Sequence, residues 1–211
     1  MPNGTGHVQS MQRERSRSEG PPTLTSSPTS QTSPASPPRQ PLAAVQLRVP
    51  TDEDAHAWHE VFADPDVMEF LGGPAELSEY EEFTARQRMH DAQLGYCLWT
   101  LLDEDGAVIG FTGAQPWPRQ EWGPVGEVEI GWRLGREHWG KGYATAAAEA
   151  TVARVRAAGL ERVCAMIHAR NARSVAVAER LGMTLAEEFT TPGGNPARRY
   201  VLDLRDLPQP R

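Results

Sequence analysis

Cysteine is scarce in this chain of 211 residues, where only Cys97 and Cys164 occur, both inside apolar runs. That argues against a disulfide framework and predicts two buried thiols in a reducing cytoplasm. Basic charge is in deficit too, with 21 Lys and Arg against 28 Asp and Glu, a formal charge of -7 and a pI near 5.4. A nucleic-acid footprint needs a basic face or a Lys/Arg run, so nucleic acid is not expected as a partner. No apolar run approaches about 18 residues, and the N-terminus has no apolar segment of the kind that a secretory signal carries. The expectation is a soluble, cytoplasmic protein with no membrane partner. Apolar residues are also thin at the head of the chain, where residues 1–43 are Ser, Thr, Pro, Gly and Gln with scattered arginines, as in GPPTLTSSPTSQTSPASPPRQP. Such a composition cannot offset the entropy of ordering, and it predicts a disordered tail ahead of one domain over 44–211.

What the rest of the chain does contain is a regular alternation of elements. VQLRVP from Val45 reads as a first strand, followed by a helix through DEDAHAWHEVFA with Thr51 as its cap and Asp54 completing a capping-box variant. His56 and His59 stand three apart on it, a spacing that suits a metal, but no third ligand lies nearby and no metal is expected. DPDVMEFLGGPAEL reads as a loop, and SEYEEFTARQRMHDAQ as a second helix capped by Ser78. GYCLWTLLDEDGAVIGFTGAQPW holds two apolar runs joined by DEDG, a strong hairpin signal. Trp117 and Trp122 follow in a Pro/Gly-rich loop, where they either cover a substrate or anchor the loop. ERVCAMIH is a strand, ARNARSVAVAERLGM a helix ending at Gly182, and TLAEEFTT with ARRYVLDL a closing pair around PGGNP. The fold class is mixed α/β.

The centre of this pattern is EVEIGWRLGREHWGKGYAT, Glu127 to Thr145. Val128, Ile130, Trp132 and Leu134 fall on one side of an extended segment, and Glu127, Glu129, Gly131 and Arg133 on the other. From Gly142 an alanine-rich, proline-free run to Gly159 predicts a helix. The first amides of a helix have no partner inside it, and Gly140 and Gly142 carry no side chain to keep an anion away. A pyrophosphate would fit there. A Rossmann fingerprint is disfavoured, because its third glycine is replaced by Thr145 and the next strand ends in His168, Arg170 and Asn171 without a ribose-binding acid. No Gly-Lys-Ser or Gly-Lys-Thr completes a Walker loop.

From about Val45 to Asp206 the sequence resembles the GNAT superfamily of acyl-CoA-dependent N-acetyltransferases, and within it the Rim-type branch that acetylates ribosomal-protein N-termini and related amines. The pyrophosphate motif Gln/Arg-x-x-Gly-x-Gly/Ala falls on Trp139-Gly140-Lys141-Gly142-Tyr143-Ala144, with Trp139 in place of the usual Gln or Arg. GWRL matches the strand whose backbone holds the pantetheine arm, and NARSVAVAERLGM resembles the Asn-x-x-Ser helix. The resemblance implies a mostly antiparallel central sheet flanked by helices and acetyl-CoA as cosubstrate. It places the cofactor against Trp132, Leu134, Trp139, Gly140, Lys141, Gly142, Tyr143, Ala144, Thr145, Asn171 and Ser174. A tyrosine that serves as general acid in many relatives would fall at Ala178. Glu129 and Glu127 are the candidate bases, one of them acting through a water, with His168 as a further possibility. The expected acceptor is a primary amine, first a protein N-terminus and then a small amine, with a non-catalytic acyl-CoA sensor as the rival class. Monomer and homodimer both remain open.

Overall fold

A computed structural model describes residues 43–208. The tail expected over 1–43 therefore lies, apart from Ala43, outside the described residues. Seven strands form one sheet in the order β1-β2-β3-β4-β5-β7-β6. The strands are β1 (Gln46–Arg48), β2 (Leu98–Leu102), β3 (Val108–Pro116), β4 (Val128–Leu134), β5 (Arg162–His168), β6 (Thr184–Thr190) and β7 (Pro196–Asp203). Every neighbouring pair is antiparallel except β4 and β5. The mixed α/β architecture with a mostly antiparallel sheet is thus the one the sequence implied. The DEDG hairpin is closed by Asp103, whose Oδ1 accepts from the amides of Asp105 and Ala107 at 3.0 and 2.9 Å.

Helices cover both faces of the sheet. On one face α1 (Glu53–Val61), α2 (Pro65–Met68) and α3 (Leu77–Leu94) enclose Trp58, Phe62, Tyr80 and Phe111. On the other, α4 (Tyr143–Ala157) and α5 (Ala172–Arg180) enclose Ile130, Val155, Val163 and Ala178. Strand β2, LWTLL, is consequently buried at every residue, as a continuous apolar run in a covered sheet should be. The second face of β4 is covered as well: Arg133 lies 5.1 Å over the rings of both Phe62 and Phe111.

Three local expectations differ. The loop after α1 contains the short helix α2, with Pro65 at its first turn and Asp64 accepting from the Asp66 amide at 2.8 Å. Helix α3 begins two residues before a Ser78 cap would allow, because Glu76 and Glu79 form a capping box. Asp52, not Thr51, occupies the cap position of α1. Asp54 does reach back to the Thr51 amide at 2.8 Å, and it also binds Arg48 at 2.7 Å and the Thr100 hydroxyl at 2.8 Å. These contacts tie α1 to β1 and β2. Burial works against the Asp54 charge, but its donors outweigh burial and hold its pKa below the usual carboxylate value.

Strands β4 and β5 are what position the site. They are registered at one pair, Glu129↔Cys164, whereas β4 follows β3 over its whole length and β5 follows β7. Beyond Glu129 the two strands part and a cleft opens between them.

Candidate active site

The helix that leaves β4 starts without a side-chain cap. Gly142, its N-cap residue, has φ 91°, and Gly140 has φ 73°, a left-handed backbone that costs other residues roughly 1–2 kcal/mol each. The Ala146 amide donates to Gly142 O at 3.0 Å, so the amides of Tyr143, Ala144 and Thr145 have no acceptor inside α4. A Cβ added to Gly140 would meet nothing within 4 Å, and one on Gly142 would meet only the Ala43 nitrogen at 4.0 Å. Uncapped amides beneath open space fit a phosphate.

The side chains around this cradle divide by task. Trp139 folds back, its indole N–H donating to Leu134 O at 3.0 Å, and its ring sits 4.2 Å beneath the Arg173 guanidinium. Arg173, placed there by the first turn of α5, is a cation beside the cradle that the motif comparison did not single out. Tyr143 is buried, and its hydroxyl donates to Glu104 at 2.5 Å. That bond pushes the phenol up to about 12 and leaves the main-chain amide as the part of Tyr143 able to serve an anion. Leu134 is core, and Lys141 is exposed. Thr112 donates to Gly131 O at 3.1 Å and so receives the Thr151 hydroxyl at 2.9 Å, fastening α4 to β3 and β4.

The cleft holds about 660 Å³ and is lined by Glu129, Trp132, His168, Asn171 and Ser174 among others. Glu129 stands where the strands part. Burial raises its pKa to about 7, against the opposing effects of a Gln115 hydrogen bond, the Arg119 charge and the Met166 amide. Gln115 faces Glu129 across the β3–β4 ladder. It is held in turn by Gln87, whose amide group donates to Gln115 Oε1 at 3.4 Å while its own oxygen accepts the Leu98 amide at 3.0 Å. Two neutral amides thus fix a carboxyl poised to change charge near pH 7.

Glu127 fares differently: its Oε1 is paired with Arg199 at 2.6 Å, and it does not appear in the cleft lining. His168 lines the cleft, but its Nδ1 accepts the Arg170 amide at 3.2 Å and its ring stacks on Phe70 at 4.8 Å. The remaining nitrogen therefore carries the proton in the neutral ring, which makes it a donor. Asn171 caps α5, its Oδ1 accepting the Ser174 amide at 3.1 Å. Ala178 is fully buried, and the described cleft lining includes no tyrosine. Cys164 is buried beside Glu129, and burial first, then the Glu129 and Glu127 charges, push its thiol up to about 12. Such a thiol is a poor nucleophile.

The loop of Trp117 and Trp122 both packs on itself and faces the cleft. Trp117 donates to Trp122 O at 2.7 Å, the rings meet edge to face at 5.3 Å, and both line the opening. No helix among the described residues is long and apolar enough to cross a membrane.

Residues 45–184 match the family model of the acetyltransferase (GNAT) domain. The chain belongs to that family and is a GNAT acetyltransferase. It is 32% identical over 144 residues to the uncharacterized protein YkkB of Bacillus subtilis (strain 168), a match covering 66% of this chain and 81% of that protein. Among solved structures it is similar to the acetyltransferase from Agrobacterium tumefaciens str. C58, with 28% identity, a TM-score of 0.59, and 78% and 95% of the two chains covered. It shares its fold with yncA from Salmonella typhimurium, solved with its cofactor acetyl-CoA, at 20% identity and a TM-score of 0.63 over 80% and 99% of the two chains.

Proposed function

We propose that the protein transfers the acetyl group of acetyl-CoA to a primary amine by direct attack in a ternary complex, with Glu129 as the base. The observation that carries this reading is Glu129 itself, held at the parting of β4 and β5 with a pKa of about 7. A general base works best with a pKa near the operating pH. The cofactor in the yncA structure and the uncapped start of α4 support acetyl-CoA as the donor.

When bound, acetyl-CoA supplies an activated acyl carbon and a thiolate leaving group. The amides from Gly140 to Thr145 would hold its phosphates, with Arg173 and Lys141 adding positive charge. Gly131, Trp132 and the Asn171–Ser174 turn would flank the arm along the open edge of β4. Glu129 takes the proton that the acceptor ammonium must lose before the neutral amine attacks, directly or through one water, and its neighbours Gln115 and Met166 N–H stabilise the ionised form. A thiol near pKa 8.5 leaves without a strong acid, so the alanine at 178 does not disable the chemistry, and Ser174 or the His168 N–H, both in the cleft lining, would be the donors available to the departing sulfur. The weak nucleophilicity of Cys164 supports transfer without an acyl-enzyme.

A base of pKa about 7 suits an α-amine. With a pKa near 8, the α-amine of a peptide is roughly a tenth neutral at pH 7, a deficit of about 1.4 kcal/mol, whereas a lysine amine near 10.4 faces more than about 4 kcal/mol. The acceptor is read as an α-amine, on a protein N-terminus in the manner of the Rim-type branch or on a small molecule, in the cytoplasm and with a monomer or homodimer as the enzyme. Thiol release from acetyl-CoA should be followed with peptides offering either a free N-terminus and blocked lysine or the reverse. Faster turnover of the lysine peptide would overturn the α-amine assignment. Acetyl-CoA binding without turnover of any amine would make the protein a sensor.

A further inference from the structure

The walls of the cleft carry charge that this chemistry leaves unused. Arg86, Arg119 and Arg133 line it, in a chain of formal charge -7, and Glu129 is the one carboxylate in its described lining. Elsewhere arginines meet acids, as Arg88 does Asp52, Arg136 does Asp66 and Arg198 does Glu188, at 2.6 to 2.7 Å. Among the described residues the three cleft arginines are in no ion pair.

They rest instead on aromatic rings. Arg119 lies 5.4 Å from the Trp117 ring and 5.0 Å from that of Trp122, and Arg86 lies 5.1 Å over Phe83. A guanidinium stacked by its face keeps the N–H groups of its edge available, and their fork matches a carboxylate or phosphonate. Arg133 lines the cleft too, but its guanidinium is already engaged, with Nη1 3.6 Å from Met68 Sδ and the Tyr80 hydroxyl beside it. Arg86 and Arg119 keep exposed side chains in the cleft lining, within reach of a ligand anion.

The phosphates of acetyl-CoA do not account for Arg119. Their cradle follows the C-terminal end of β4, whereas Arg119 precedes its N-terminal end, and the seven residues of β4 between them span about 20 Å at roughly 3.3 Å each. Arg119 is also near enough to Glu129 to favour its ionised form. The cleft lining therefore presents a carboxylate for an ammonium and guanidinium groups for an anion.

We propose that the acceptor is a small zwitterion, a primary amine with a carboxylate or phosphonate a few bonds away, whose anion is held by Arg119 and Arg86 while Glu129 receives the ammonium. This rests on the reading of the site as an N-acetyltransferase and deepens it to a substrate class. The test uses the full chain at saturating acetyl-CoA. Acceptors are a set of free amino acids and one aminophosphonate, the matching α-carboxamides, and a peptide with an acidic N-terminal residue. The free acids are expected to exceed their carboxamides by about 10-fold to 100-fold in kcat/KM, mostly through KM. In Arg119→Gln and Arg86→Gln that preference should fall several-fold, with Arg119→Lys keeping part of it. Calorimetric affinity for acetyl-CoA should stay within about twofold of the wild type, which shows that the variants are folded.

Carboxamides used as well as acids, or a preference that survives both glutamine variants, would overturn the anion assignment while acetylation itself stands. Preference for the acidic peptide over every free acid would overturn the small-molecule assignment. Acetyl-CoA binding with no acceptor turned over would remove both the proposal and the reading beneath it.

Discussion

Replacing Glu129 with glutamine removes a carboxyl that burial holds at a pKa of about 7, compared with an ordinary 4.5, and two consequences of opposite sign follow. A shift of that size corresponds to roughly 3 kcal/mol between the protonation states. Because the folded value is the higher one, the native state binds the Glu129 proton more tightly than the unfolded chain between about pH 4.5 and 7. Stability therefore falls as pH rises through that window, and the loss is complete above it. Glutamine has no charge to bury, although it loses a charge-assisted bond from Gln115 of about 1 kcal/mol. The variant should accordingly be more stable than wild type at pH 8, by about 1–2 kcal/mol, and no more stable at pH 4.5. Urea titrations of both proteins at matched pH isolate this difference, since other titrating groups cancel. Activity should go the other way: kcat/KM falls about 10-fold to 1,000-fold, and the deficit shrinks as pH rises and more amine is neutral. A variant less stable than wild type at pH 8 would refute the burial argument, and a deficit that ignores pH would refute Glu129 as base.

Gly142→Asp puts bulk and negative charge at an open, left-handed position over uncapped amides and should abolish acetyl-CoA affinity in calorimetry. Wild-type-like binding would place the phosphates elsewhere. Asp54→Asn breaks a buried cluster joining Arg48, Thr51 and Thr100 and should cost about 2–4 kcal/mol at pH 7. The Asp54 pKa is depressed, so its contribution is present above the ordinary value of 3.8 and lost as pH falls through the folded one. The gap from wild type in chemical unfolding should narrow below about pH 4, and a constant gap would assign the loss to packing.

The alternation and turn chemistry of the chain carried most of the fold. DEDG closes its hairpin through Asp103, and the alanine-rich run after Gly142 is the helix α4. What misled were the polar helix starts, because several acidic or hydroxyl residues compete for one cap. Glu76 with Glu79 outcompeted Ser78 by satisfying two backbone donors at once. The short α2 was hidden because four residues give no period to read.

The site divides along a similar line. Gly140 and Gly142 were legible because a left-handed backbone beside a helix start asks for glycine, and that demand is local. Glu127 and Glu129 look alike in sequence, since both fall at even spacing before GWRL. Long-range partners separate them: Arg199, 72 residues away, pairs with Glu127, while Glu129 is left to Gln115, Met166 and the cleft. The Gln87–Gln115 support behind it joins a helix to a strand 28 residues on, and no local period encodes such a meeting. The same holds for Arg86 and Arg119, exposed residues of α3 and of the β3–β4 loop that share one cleft lining and rest on Phe83, Trp117 and Trp122. The proposed donor site is thus written in a contiguous motif, whereas the proposed acceptor site draws on residues that tertiary folding assembles from separate elements.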